Sequence, residues 1–197
     1  IACVMEGDGV LAEFLRGRGI EVAAEDFVVA DRCARYEARI TLDLSSVEEC
    51  VAGPNSTTRV RSIAEVSRER VRIDKAYLLS CVNGRLQDFA QAAGCVRGRR
   101  VAGHVKLYIA AASAEVEAKA REAGYWGRLR EAGAVELPPG CGPCIGMGEG
   151  IAGPGEVAIS ATNRNYAGRM GDRTAQVYLA SPASVVESAI AGFICAA

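Results

Sequence analysis

The chain is poor in the residues that mark most ligand classes. It has one histidine, His104, three lysines, one tryptophan and no surplus of either charge, with 23 basic against 24 acidic residues and a pI near 6.0. That balance supplies no electrostatic footprint for nucleic acid or for an anionic membrane surface. No apolar run reaches the roughly eighteen residues of a membrane span, and no secretory hydrophobic region, internal repeat or low-complexity tract is visible. Eight cysteines in 197 residues fall well short of the density of a small disulfide scaffold, so the thiols are read as reduced. The excess of arginine over lysine, with abundant Ala and Gly, is read as genome composition, and the basic run Arg97-Gly98-Arg99-Arg100 as a solvated loop.

What is present is enough apolar residue, 50% of the chain, to bury roughly 70% of the unfolded surface around one core. A helical patch spans Val10 to Leu15, and the alternating run Ala38-Arg39-Ile40-Thr41-Leu42-Asp43-Leu44 predicts a half-buried strand. Turn residues at Ala52-Gly53-Pro54-Asn55-Ser56 then break the pattern, so residues 1–55 are read as a partial N-terminal segment and connector, and 56–197 as an α/β domain. Beyond residue 72 strand and helix alternate. Strands are expected at 76–80, 105–110, 156–160 and 176–180, and helices through Leu86 to Ala92, after the cap Ser113, and after Ser181-Pro182. This pattern predicts a three-layer α/β/α fold with a mostly parallel sheet.

Three cysteines carry the chemistry. Cys81 closes an apolar strand, and Cys141-Gly142-Pro143-Cys144 lies in a Gly/Pro-rich loop. A lone CxxC pair is a weak signal shared by redox sites and zinc knuckles, and a zinc site would need His104 or another cysteine as fourth ligand. Three thiolates without an obvious fourth ligand point instead to an iron–sulfur cluster with one iron left open. The segment Asn163-Arg164-Asn165-Tyr166-Ala167-Gly168-Arg169 follows a strand and sets two guanidinium groups where they can hold a substrate with more than one carboxylate. Ligands of open α/β sheets collect beyond the carboxyl ends of the strands, which is where Cys81 and Arg164 fall. Cys3, Cys33, Cys50, Cys95 and Cys195 show no pairing pattern and are read as structural. Gly148, Gly150 and Gly153 match GxGxxG formally, but no expected strand precedes them.

Ser80-Cys81-Val82-Asn83, Cys141-Gly142-Pro143-Cys144-Ile145-Gly146 and Thr162-Asn163-Arg164-Asn165-Tyr166-Ala167-Gly168-Arg169-Met170-Gly171, in that order, resemble the aconitase family from about residue 30 onward. Val82, with Val51 to Ser56 and Tyr108 to Ser113, is most similar to the fungal-type homoaconitases of lysine biosynthesis. The large subunit of 3-isopropylmalate dehydratase, of leucine biosynthesis, is the near alternative, and a non-catalytic zinc or redox module is a third reading from a different class. The resemblance implies a [4Fe-4S] cluster on Cys81, Cys141 and Cys144, and a small di- or tricarboxylate substrate bound by Arg164, Arg169 and Asn163. It also implies that the catalytic base lies on a swivelling domain, with further partners on an N-terminal domain, in cis or on a partner subunit. Because the chain opens on Ile1, it is expected to be a piece of a longer protein, inactive by itself. A mitochondrial matrix location is what the resemblance implies, with the cytoplasm as alternative.

Overall fold

The computed structural model describes residues 5–197, so Cys3 lies outside the described residues. The chain divides into two compact units, one ending at Ser46 and the other spanning Val47–Ala197. In the first, α1 (Gly9–Arg16) forms where the helical patch was expected, and the Asp8 carboxylate accepts a 2.9 Å hydrogen bond from Leu11 N at its start. The strand expected over 38–44 does not form: these residues are exposed, Ile40 at 91%, and irregular up to Leu44, which opens the 3-10 turn Leu44–Ser46. Alternation alone does not make a strand, because its backbone groups need a partner, and no described strand pairs with this one.

The second unit is built on a seven-stranded sheet. Its strands are β1 (Cys50–Ala52), β2 (Val60–Ser62), β3 (Lys75–Leu78), β4 (Lys106–Ile109), β5 (Val135–Glu136), β6 (Val157–Ser160) and β7 (Gln176–Leu179), in the order β2-β1-β7-β6-β3-β4-β5. All pairs from β7 to β5 are parallel, while β1 joins β2 and β7 antiparallel. The sheet therefore takes in residues ahead of the boundary expected at 55/56. Asn55 fastens that hairpin to β7, donating from Nδ2 to Ala175 O at 2.8 Å and accepting from Val177 N at 2.9 Å.

Residue parity sorts the two faces. Ala76, Leu78, Leu107, Ile109 and Ile159 point into a core shared with α2 (Ile63–Glu69), α3 (Leu86–Val96), α4 (Ala114–Glu122), α5 (Tyr125–Glu131) and α6 (Pro182–Ala191). Their caps were largely legible. Ser113 Oγ accepts from Val116 N at α4, Ser181 Oγ accepts from Ser184 N at α6, and Gly192 ends α6 in the left-handed region. Glu115–Lys119 and Glu117–Arg121 pair along α4 at 2.8 and 2.7 Å. Tyr77, Leu79, Tyr108, Ala110, Ala158 and Val177 point to the opposite face, where they pack with Leu137, Cys144 and Met170. The α/β class and mostly parallel sheet are as expected, but on this second face loops and a 3-10 turn take the place of a helical layer. No described helix is long and apolar enough to cross a membrane.

Candidate metal centre

The strand order reverses at β3: the chain moves from β3 to β4 on one side and returns to β6 on the other. A crevice opens beyond the carboxyl ends of two such parallel neighbours. The loops after β3 and β6 lie side by side there, tied by Asn83 Nδ2 donating to Ala161 O at 2.6 Å.

Cys81 is set by strained backbone. Ser80, just before it, is buried with φ of 108°, a region that side chains other than glycine rarely enter. The loop holds it there: Ser80 Oγ accepts from Val82 N and Asn83 N at 3.3 and 3.2 Å, and Ser80 O accepts from Gly84 N at 2.8 Å. Gly84 must be glycine, since a Cβ there would lie 2.6 Å from Ser80 O and 2.9 Å from Ala110 O. Cys81 itself is left exposed at the rim.

Cys141 precedes and Cys144 lies within the 3-10 turn Gly142–Ile145, closed by Cys144 N donating to Cys141 O at 2.9 Å. Pro143 and Cys144 are buried against the second face, and Cys141 is exposed. At the end of the turn Gly146 (φ 71°) meets the Arg169 loop: a Cβ would lie 3.1 Å from Arg169 O. Beside the turn a mainly apolar cavity of about 340 Å³ is lined by Ala110, Leu137, Pro143 and Met147 among others.

Burial raises the Cys144 thiol pKa, and the positive charge of Arg169 opposes it; Cys141 and Cys81 are both near enough for their charges to add to the rise. Of the six site residues expected from sequence, Cys81, Cys141 and Arg169 are near enough to Cys144 to influence its charge, and Arg164 and Asn163 are not among those that do. Among the described residues no three or more His, Cys, Asp or Glu side chains are grouped so that they could hold a metal ion.

Arg169 is half-buried, and its Nε is buried with no hydrogen-bond partner. Its guanidinium lies 5.7 Å from the Tyr166 ring centroid, and Nη1 is 3.5 Å from the Tyr166 hydroxyl. Arg169 is also close enough to the Cys144 thiol to hydrogen-bond it, and a guanidinium held against a thiol fits a thiolate-bound group. Arg164 and Asn163 are exposed, and Arg164 Nη1 donates to Asn163 O at 2.7 Å. Asn165, which the sequence reading passed over, is fully buried and donates from Nδ2 to Ala52 O and Val177 O, at 3.1 and 2.9 Å, anchoring the loop that carries both arginines. An asparagine in the polar turn directly after an apolar strand was the available signal.

The model of the aconitase family (aconitate hydratase) matches residues 2–192. The chain is 51% identical, over 96% of its length and 30% of the relative's, to mitochondrial homoaconitase of Eremothecium gossypii. It is 53% identical to that of Mycosarcoma maydis, over 84% of this chain and 22% of the relative, and 50% identical to that of Cryptococcus neoformans var. neoformans serotype D, over 92% and 25%. The chain therefore spans less than a third of the length of these curated relatives. The chain belongs to the aconitase family.

Proposed function

We propose that this chain is the cluster-binding part of a homoaconitase-type hydro-lyase acting on a small di- or tricarboxylate, by reversible dehydration and rehydration between homoaconitate and homoisocitrate. What supports it is the order of the three motifs in the chain together with the closeness of Arg169 to the Cys144 thiol. Cys81, Cys141 and Cys144 would hold a [4Fe-4S] cluster, which when bound supplies a Lewis-acidic iron free of protein ligands to polarise a substrate hydroxyl.

The chain's own residues bind and orient. Arg169, charged and braced by Tyr166, presents a planar fork to one carboxylate. Arg164 must leave the Asn163 backbone carbonyl to reach a second, and the exposed Asn163 amide can donate to the substrate beside it. Each charge-assisted bond contributes about 1.5–3 kcal/mol, so the two arginines supply both affinity and orientation. The base that removes the α-proton is assigned to a swivelling domain outside this chain, with further partners on an N-terminal domain, in cis or on a partner subunit. The relatives' mitochondrial names support a matrix location.

The test is turnover by the full-length enzyme after anaerobic reconstitution with iron and sulfide. Homoaconitate hydration is expected, and it should fall sharply in Arg169→Lys with the fold retained. Turnover of 3-isopropylmalate alone would move the chain to leucine biosynthesis, and bound zinc without iron or turnover would leave a non-catalytic module.

A further inference from the structure

Two polar side chains of β3 face the cysteine side of the sheet and are spent on the backbone of one loop. Lys75 Nζ donates to Ile151 O at 2.6 Å and pairs with Glu156 Oε2 at 2.7 Å, while the same carboxylate oxygen accepts from Gly153 N at 2.5 Å. Two residues along, on the same face, the hydroxyl of fully buried Tyr77 donates to Gly150 O at 2.7 Å. Tyr77 and Tyr108, opposite each other in the β3–β4 register, stack at 5.7 Å between centroids, and the Tyr108 ring abuts Gly150. The next residue, Ala152, is bonded on both sides to the Arg169 loop, by Ala152 N to Met170 O and Asp172 N to Ala152 O, each 2.8 Å.

The gripped carbonyls therefore lie between the cysteine turn and the contact with the arginine loop. A fully buried tyrosine and a mostly covered lysine are costly to take from water unless bonded. We infer that Lys75 and Tyr77 are positioning residues: by holding the Gly150 and Ile151 carbonyls they keep Cys144 and its turn seated against the Arg169 loop. The inference rests on reading that turn as the functional element, but its test is read on the thiols and needs neither cluster nor turnover.

In the full chain without metal, iodoacetamide labelling of Cys144 and of Cys95, which lies in α3 on the opposite face, is followed by mass spectrometry alongside the melting temperature. Cys144 is buried, so its labelling reports local opening of the turn. Tyr77→Phe, which keeps the stacked ring, is expected to speed Cys144 labelling roughly five- to tenfold, the effect of one net hydrogen bond, with Cys95 unchanged. Lys75→Met, which keeps the aliphatic stem, should do the same and carries the comparison should Tyr77→Phe fail to fold. An unchanged Cys144 rate, or a rise matched at Cys95, would overturn the inference, the second showing a merely structural loss.

Discussion

Replacing Gly84 with alanine drives a methyl group into three backbone atoms at once. Its Cβ would lie 2.6 Å from Ser80 O, 2.9 Å from Ala110 O and 3.1 Å from Ala112 N, none of which is the far end of a flexible side chain. Relief must move the Cys81 loop away from the end of β4, which breaks the 2.8 Å bonds from Gly84 N to Ser80 O and from Ala112 N to Gly84 O. Overpacking of this kind costs about 1–3 kcal/mol, and the two lost bonds about 1 kcal/mol net each, so the expected loss is about 3–5 kcal/mol. For a unit of this size that lowers Tm by roughly 6–20 °C. Urea titration and calorimetry should agree on the loss. The variant should also bind less iron, because the displaced segment carries Cys81. A Gly84→Ala protein with wild-type Tm and iron binding would refute the argument that this glycine sets the loop.

Gly94, exposed inside α3, has nothing within 4 Å of a built Cβ, so Gly94→Ala should stabilise by about 0.5–1 kcal/mol, checked by urea midpoint. Asn165→Asp should destabilise by several kcal/mol, because a carboxylate would face the Ala52 and Val177 carbonyls in a fully buried position; a melting curve matching wild type at neutral pH would contradict this. Glu136 is pulled two ways: burial raises its pKa, but Arg121, Trp126 and Arg130 prevail and hold it below the usual range. A lowered carboxylate pKa stabilises above the unfolded-state value and loses that contribution as pH falls through the folded-state value. Wild type should therefore outlast Glu136→Gln at neutral pH and lose the advantage in acid, and a Tm difference independent of pH would refute the assignment.

The parts of the fold that were legible are those governed by local chemistry. Ser113, Ser181-Pro182 and Gly192 mark helix ends because capping satisfies backbone groups within a few residues. The parallel strands 75–78, 106–109, 157–160 and 176–179 are short apolar runs between such helices. The expected strand at 38–44 had the right alternation but depended on a partner that its own residues do not encode. The hairpin of β1 and β2 was missed for the converse reason: its strands are three residues each and owe their place to Asn55 and β7.

The site divides in the same way. Cys81, Cys141 and Cys144 stand out by residue type, and Arg169 by spacing, yet the Ser80 strain, the Gly84 contact and the grip of Lys75 and Tyr77 exist only once distant segments meet. Arg164 shows the limit of spacing, since five residues from Arg169 in sequence leaves it folded on its neighbour's carbonyl.

The central claim is that Cys81, Cys141 and Cys144 act as one ligand set. Iron and acid-labile sulfide should be measured after anaerobic reconstitution of wild type, the three single Cys→Ser variants and a Cys95→Ser control. Wild type and Cys95→Ser should hold equal amounts of iron and sulfide with broad visible absorption, and each of the other three should lose both. A cluster that survives in Cys81→Ser or Cys144→Ser, or fails only in Cys95→Ser, would contradict it.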